Sequence, residues 1–313
     1  MIVVTGAAGF IGSNLVRALN ARGRADLLCV DDLTNGRKFA NLADCDFDDY
    51  VDKEAFFAKL AAGGFDGKVE AVLHQGACSD TTEWNGRVML GDNYEASKSL
   101  FRFATKERIP FIYASSAAVY GMGPEFREDP ACEKPLNLYG WSKLLFDRWV
   151  RHRARELRSQ VVGLRYFNVY GPRESHKGEM ASVAWKHHLQ LRAGEVVKLF
   201  EGSDSFGPGE QRRDFVYVGD VVAVNLWFLE HPKVSGIYNV GTGRAQTFND
   251  VARAVIAHHG RGRIEYVPFP EILRGSYQSF TEASLANLRE CGCDTPFLSV
   301  EAGVARYLKE VVR

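Results

Sequence analysis

The chain has 313 residues, 46% of them hydrophobic, with 39 basic and 39 acidic side chains. That length favours two joined domains over one core. Balanced charge argues against a nucleic-acid or membrane-surface binder, and no apolar run reaches the length of a membrane span.

Ile2-Val3-Val4 predicts a buried strand that runs into Thr5-Gly6-Ala7-Ala8-Gly9-Phe10-Ile11-Gly12. An amphipathic helix follows, with Ile11, Leu15, Val16 and Leu19 at helical spacing. In a strand, glycine turn and helix of this kind, the glycines let the backbone approach a dinucleotide pyrophosphate, whose charge sits at the helix N-terminus. Gly6, Gly9, Phe10, Ile11 and Gly12 are therefore assigned to a cofactor.

The second strand, Leu27-Leu28-Cys29-Val30, ends at Asp31-Asp32. An acid at this point binds ribose hydroxyls and argues for NAD. Arg37, Lys38 and Lys53 nearby suit the 2′-phosphate of NADP, although a second carboxylate at Asp32 opposes that phosphate. The third strand, Ala71-Val72-Leu73-His74, opens into Gln75-Gly76-Ala77-Cys78-Ser79, small residues that suit a loop against the cofactor. A helix over 93–106 and a strand over 110–116 continue the alternation. The rhythm predicts a parallel, doubly wound sheet with ligands at the strand C-termini. Ser116 ends a strand there, where a hydroxyl can donate to a reacting carbonyl; Ser115 reads as a strand-end serine.

Tyr139-Gly-Trp-Ser-Lys143 puts a phenol and an ammonium one helical turn apart on one face. A lysine charge so close is expected to lower the tyrosine pKa towards neutrality, fitting it for proton transfer during hydride movement. Six cysteines, Cys29, Cys45, Cys78, Cys132, Cys291 and Cys293, form no Cys-x-x-Cys pair, so reduced thiols are expected and no metal is assigned. The first residues lack the basic region of a secretory signal, which points to the cytoplasm.

Thr5-Gly-x-x-Gly-x-x-Gly12, Ser116, Tyr139-x-x-x-Lys143 and Arg165-Tyr-Phe-Asn-Val-Tyr-Gly-Pro-Arg173 together resemble the extended short-chain dehydrogenases that act on nucleotide sugars. The resemblance implies an α/β fold: a Rossmann-type doubly wound parallel sheet over 1–170, with returning segments near 213–243. A smaller C-terminal α/β substrate domain would occupy 171–313. It implies that Ser116 and Tyr139 bind the reacting oxygen, that Tyr139 is the acid/base, and that Lys143 holds the ribose. Dehydratases of the family carry Asp-Glu after the catalytic hydroxyl; Ala117-Ala118 stand here, which argues against elimination.

The segments 75–84, 173–183, 198–203 and 213–220 are similar to the ADP-heptose epimerase branch of that family. That similarity implies tightly bound NADP, inversion of heptose carbon 6 through a ketone, a place in lipopolysaccharide core synthesis, and a homo-oligomer such as a pentamer. It also implies a second base, Lys177. The nicotinamide is fixed, so the ketone must turn its other face, and one acid/base per orientation suits that movement. Further cofactor contacts fall on Asp92, Asn93 and Val169. Substrate contacts fall on Asn168, Glu179, Lys186 or His187, Phe200, Glu201, Gly202, Ser203, Arg213 and Tyr277. The 204–211 loop, with its Gly-Pro-Gly turn, is longer than the family pattern. The rival readings are another nucleotide-sugar epimerase, such as a UDP-hexose 4-epimerase, and a non-catalytic NADP-binding protein.

Overall fold

A computed structural model describes residues 1–154, 157–203, 205–271 and 277–311. It divides into two compact units. The first comprises Met1–Val119, Asn137–Arg165 and Val222–Tyr238; the second comprises Tyr120–Leu136, Tyr166–Val221 and Asn239–Arg313.

The strands and helices alternate as β1 (Ile2–Thr5), α1 (Phe10–Asn20), β2 (Leu27–Asp31), β3 (Asp49–Asp52), α2 (Lys53–Ala61) and β4 (Ala71–His74). Then come α3 (Gly86–Leu90), α4 (Ala96–Glu107), β5 (Phe111–Ser116), α5 (Leu138–Arg151), β6 (Val161–Tyr166) and β7 (Asn168–Tyr170). Next are α6 (Val183–Ala193), β8 (Val196–Phe200), β9 (Arg212–Arg213), β10 (Phe215–Tyr217), α7 (Val218–Glu230) and β11 (Gly236–Val240). The chain closes with β12 (Gln246–Thr247), α8 (Phe248–His259), β13 (Arg263–Val267), α9 (Ala286–Glu290) and α10 (Val300–Val311).

Seven strands form one sheet in the order β11-β6-β5-β4-β1-β2-β3. β1 pairs in parallel with β2 on one side and β4 on the other, with Thr5 opposite both Val30 and His74. The strand order reverses direction between β1 and β4, and a crevice for ligands opens at the carboxyl ends of the strands at such a point. Every residue of β1, β2 and β4 is buried, as a parallel sheet covered on both faces requires. Val3, Leu28, Val72, Phe111, Phe101 and Phe146 belong to one continuous apolar core beside it.

The helix expected to begin at Asn93 begins earlier. α3 runs into a π turn over Gly91–Glu95 and then into α4. The wider turn carries Asn93 inward, where its Oδ1 accepts from the Cys78 amide at 2.8 Å.

In the second unit β7 pairs with β10 and β8 with β13 in parallel, while β9 pairs with β12 antiparallel. Asp214 ties this unit together. Its buried carboxylate accepts from the backbone amides of Thr242, Gly243 and Ala283 at 2.6, 2.9 and 3.0 Å.

Candidate active site

The glycine turn is shaped by close backbone approach. Gly6 has φ +66°, and a Cβ there would lie 2.7 Å from the Gly76 amide nitrogen. A Cβ on Gly12 would lie 2.0 Å from the Gly6 carbonyl oxygen. Only glycine fits either position. No side chain caps α1 at Gly9. A helix start of this kind suits a phosphate, so the turn fits the pyrophosphate of a dinucleotide.

Behind the turn runs an ordered hydrogen-bond chain. The Gly76 amide donates to Thr5 Oγ1 at 3.1 Å, so the Thr5 hydroxyl is free to donate to His74 Nδ1 at 2.6 Å. His74 Nε2 then donates to Ser97 Oγ at 2.9 Å, and Ser97 donates to the Asn93 carbonyl at 2.7 Å. Burial pushes the His74 pKa down to about 3, so the ring is neutral and its tautomer follows from its partners. The chain links β1, β4 and α4 beneath the half-exposed 75–79 loop.

Asn93 also donates to the Cys78 carbonyl at 2.9 Å and to Ser142 Oγ at 3.0 Å. It is buried and fastens the loop to the π turn. Asp31 is likewise occupied. Its carboxylate accepts from the amides of Ala8 and Asp32, both at 2.7 Å, and from Lys38 Nζ at 2.5 Å. Lys38 also donates to the Asp32 carbonyl. Hydrogen bonds from Thr34 hold the Asp32 carboxyl below its ordinary range. Lys53 pairs with Asp92 at 3.0 Å.

Ser116 and Tyr139 come together at the carboxyl end of β5. Tyr139 is hydrogen-bonded to Ser116, and Ser116 Oγ accepts from the Ala118 amide at 3.1 Å. The expected depressed phenol is not found within the protein itself. Burial raises the Tyr139 pKa, against the Ser116 hydrogen bond. The reason lies in Lys143. Its ammonium is 5.9 Å from the Tyr139 ring centroid and donates to the Ala114 carbonyl at 3.0 Å. Burial brings Lys143 itself down to about 8, with the attraction of Asp147 opposing.

Asp147 lies one turn beyond Lys143 on α5 and is wholly enclosed. It pairs with Arg165 through Nε and Nη2, both at 2.9 Å, and accepts from Tyr113 and Ser115 at 2.9 Å. Neither member of this pair was singled out as a site residue. The spacing Tyr139, Lys143, Asp147 was a readable signal, because the three share one helix face. Ser115 is thereby a donor to Asp147, and Ser116 alone of the two meets Tyr139.

In the second unit Lys177 sits half-buried on a short 3₁₀ segment, Ser175–Met180. Burial lowers its pKa, and Glu174 opposes that. Lys186 and Glu179 pair with each other at 3.1 Å. His187 is buried and pushed down to about 4, and its Nδ1 has no hydrogen-bond partner among the described residues. Val169 and the exposed Asn168 lie on β7, opposite Val216 and Phe215.

Phe200 ends β8, and Glu201, Gly202 and Ser203 lead into the long loop, of which Asp204 lies outside the described residues. Gln211 Nε2 donates to the Glu201 carbonyl at 3.0 Å and to Ser203 Oγ at 3.1 Å, closing the loop. Asn249 anchors its Gly-Pro-Gly tip by donating to the Pro208 carbonyl at 3.0 Å. Arg213 is buried and held against the Tyr277 ring, 4.9 Å from its centroid. Burial draws Arg213 down to about 10, and among the described residues no carboxylate pairs with it. A buried guanidinium without a counter-charge is suited to an anion. Gly275 and Ser276, beside Tyr277, lie outside the described residues.

The family model for NAD dependent epimerases and dehydratases matches residues 2–241. The chain belongs to the NAD dependent epimerase/dehydratase family. A curated ADP-L-glycero-D-manno-heptose-6-epimerase from Alkalilimnicola ehrlichii is 59% identical over 311 residues, covering 99% of this chain and 97% of that protein. The crystal structure of the Helicobacter pylori ADP-L-glycero-D-manno-heptose-6-epimerase matches with a TM-score of 0.86 at 32% identity, over 99% of this chain and 96% of that one. The Thermus thermophilus UDP-glucose 4-epimerase in complex with NAD matches with a TM-score of 0.79 at 26% identity, over 98% and 97%. Ser116, Tyr139 and Lys143 thus lie on the Rossmann-type sheet of a member of this family. No described helix is long and apolar enough to cross a membrane.

Proposed function

We propose that this epimerase inverts carbon 6 of ADP-D-glycero-D-manno-heptose, giving ADP-L-glycero-D-manno-heptose, with tightly bound NADP. The whole-length similarity to ADP-heptose epimerases, well above that to a UDP-glucose 4-epimerase, carries the choice of substrate. The first unit would hold the cofactor, with Gly6, Gly9, Phe10, Ile11 and Gly12 on the pyrophosphate and Gln75–Ser79 along the nicotinamide side. In the second unit His187, Phe200, Ser203, Arg213 and Tyr277 would hold the ADP-sugar. Arg213 offers its fork to the diphosphate, and the unpartnered His187 Nδ1 makes that ring a better candidate than the paired Lys186.

NADP supplies the hydride acceptor and, on return, the donor. Lys38, which pairs with Asp31, and Lys53, which pairs with Asp92, would turn to its 2′-phosphate. Ser116 and Tyr139 orient the reacting oxygen. Tyr139 keeps its proton at neutral pH and would be the group that gives it to the ketone oxygen as that is reduced. A lowered amine pKa suits Lys177 to take a proton from the hydroxyl in the opposite substrate orientation. The reaction is redox-neutral, so the cofactor stays bound. The proposal places it in the cytoplasm and in a homo-oligomer.

NMR of ADP-heptose incubated with purified protein and no added cofactor tests the reaction. Cofactor-loaded protein that leaves carbon 6 unchanged would sink the substrate assignment. Mass spectrometry of the nucleotide released on denaturation separates NADP from NAD. Lys177→Met should lose most turnover and keep bound cofactor; near-normal rates would remove Lys177 from the mechanism.

A further inference from the structure

Lys177 lies on an awkward piece of backbone. Arg173, before it, has φ +74°, and Gly178, after it, has φ +54° with ψ −124°. A non-glycine residue in the left-handed region persists only when its surroundings hold it there. One side chain reaches both ends of this segment. Glu174 is fully buried, and its carboxylate accepts from the Gly171 amide at 3.2 Å, the Ser182 amide at 2.5 Å and the Ser182 hydroxyl at 2.7 Å. The Tyr307 hydroxyl of α10 bonds to it as well. Its own carbonyl accepts from the Lys177 amide at 3.0 Å.

We propose that Glu174 is the positioning residue of the second base: a single carboxylate pins both ends of the 171–182 segment and so fixes where Lys177 stands. This rests on the reading of Lys177 as an acid/base. The chemistry requires a carboxylate. Gly171 donates to Oε1 and Ser182 donates its amide to Oε2, and both are backbone N–H groups that can only donate. A glutamine of the same shape has one acceptor oxygen. Either way round, its NH2 faces a donor and one end of the segment is released. The Ser182 hydroxyl meanwhile caps α6, accepting from the Trp185 amide at 3.2 Å, so the pin at this end is also the start of a helix. Catalytic geometry is sensitive to small shifts, and a displacement of about 1 Å costs about 100-fold in rate.

The test uses the cofactor-loaded enzyme, ADP-heptose as substrate, and four proteins: wild type, Glu174→Gln, Lys177→Met and the double variant. Glu174→Gln is expected to lower kcat by about 100-fold while KM and bound nucleotide stay within about threefold. In the Lys177→Met background the same change is expected to leave the residual rate, read over long incubations, within about threefold, because residues acting as one unit are non-additive. Near-wild-type turnover of Glu174→Gln beside an inactive Lys177→Met would overturn the positioning role alone. An equal loss in both backgrounds would overturn it too, since Glu174 would then act on the fold in general. An active Lys177→Met would instead remove the second base itself. If Glu174→Gln does not fold, Ser182→Ala removes one hydroxyl donor from the carboxylate. It should lower kcat by about tenfold and only when Lys177 is present; a loss independent of Lys177, or none, refutes the role.

Discussion

Lys143 carries a stability cost that its removal should expose. Burial lowers its pKa from 10.5 to about 8. Below pH 8 the folded and unfolded chains both carry the proton, and the cost of enclosing the charge is fully present. Between pH 8 and 10.5 the folded chain has released a proton that the unfolded chain keeps, so stability rises with pH across this window. The total relief is about 3 kcal/mol, of which about 2.5 kcal/mol is reached by pH 10. Lys143→Met lacks this titration. It also leaves the Ala114 carbonyl without its donor, a loss of about 1–3 kcal/mol that does not vary with pH. Urea unfolding of cofactor-free protein, followed by circular dichroism at pH 7 to 10, compares the two chains. Wild type should gain about 2.5 kcal/mol relative to Lys143→Met over that range. Parallel pH profiles, within about 0.5 kcal/mol, would refute the claim that this lysine is held below its ordinary pKa.

Asp147→Asn leaves the enclosed Arg165 without its charge partner and should cost about 3–5 kcal/mol in unfolding free energy; a loss below about 1 kcal/mol would contradict the buried pair. Gly12→Ala pushes a methyl group into the Gly6 carbonyl. Overpacking of that size costs about 1–3 kcal/mol, so cofactor affinity should fall about 10- to 100-fold, measured as nucleotide retained per chain on gel filtration. Arg213→Lys keeps the charge but loses the planar fork and its stacking on Tyr277. It should raise KM about tenfold or more with kcat little changed, and an unaltered KM would remove Arg213 from the substrate site.

Local patterning made the first unit readable. A glycine turn after a β-branched run has few alternatives, because Gly6 and Gly12 stand where any Cβ would strike backbone. The i, i+4 spacing of Tyr139 and Lys143 declared their shared face before any tertiary contact was known. Those features depend on a few adjacent residues, and so the fold class, the glycine turn and the shared face of Tyr139 and Lys143 were all legible in order along the chain. Partners distant in sequence were not. Whether Lys143 would lower the Tyr139 pKa depended on where its ammonium points and how deeply it is enclosed; tertiary packing turned it to the Ala114 carbonyl and weakened its own charge. That a π turn would carry Asn93 inward to clamp Cys78 was not written in the local pattern. Glu174 passed as one more letter of a motif, because its task is set by Gly171, Ser182 and Tyr307 meeting at one carboxylate. Sequence determined which chemical groups this epimerase carries and the elements that bear them. Only tertiary structure decided their charge and their partners, since burial and long-range hydrogen bonds set both.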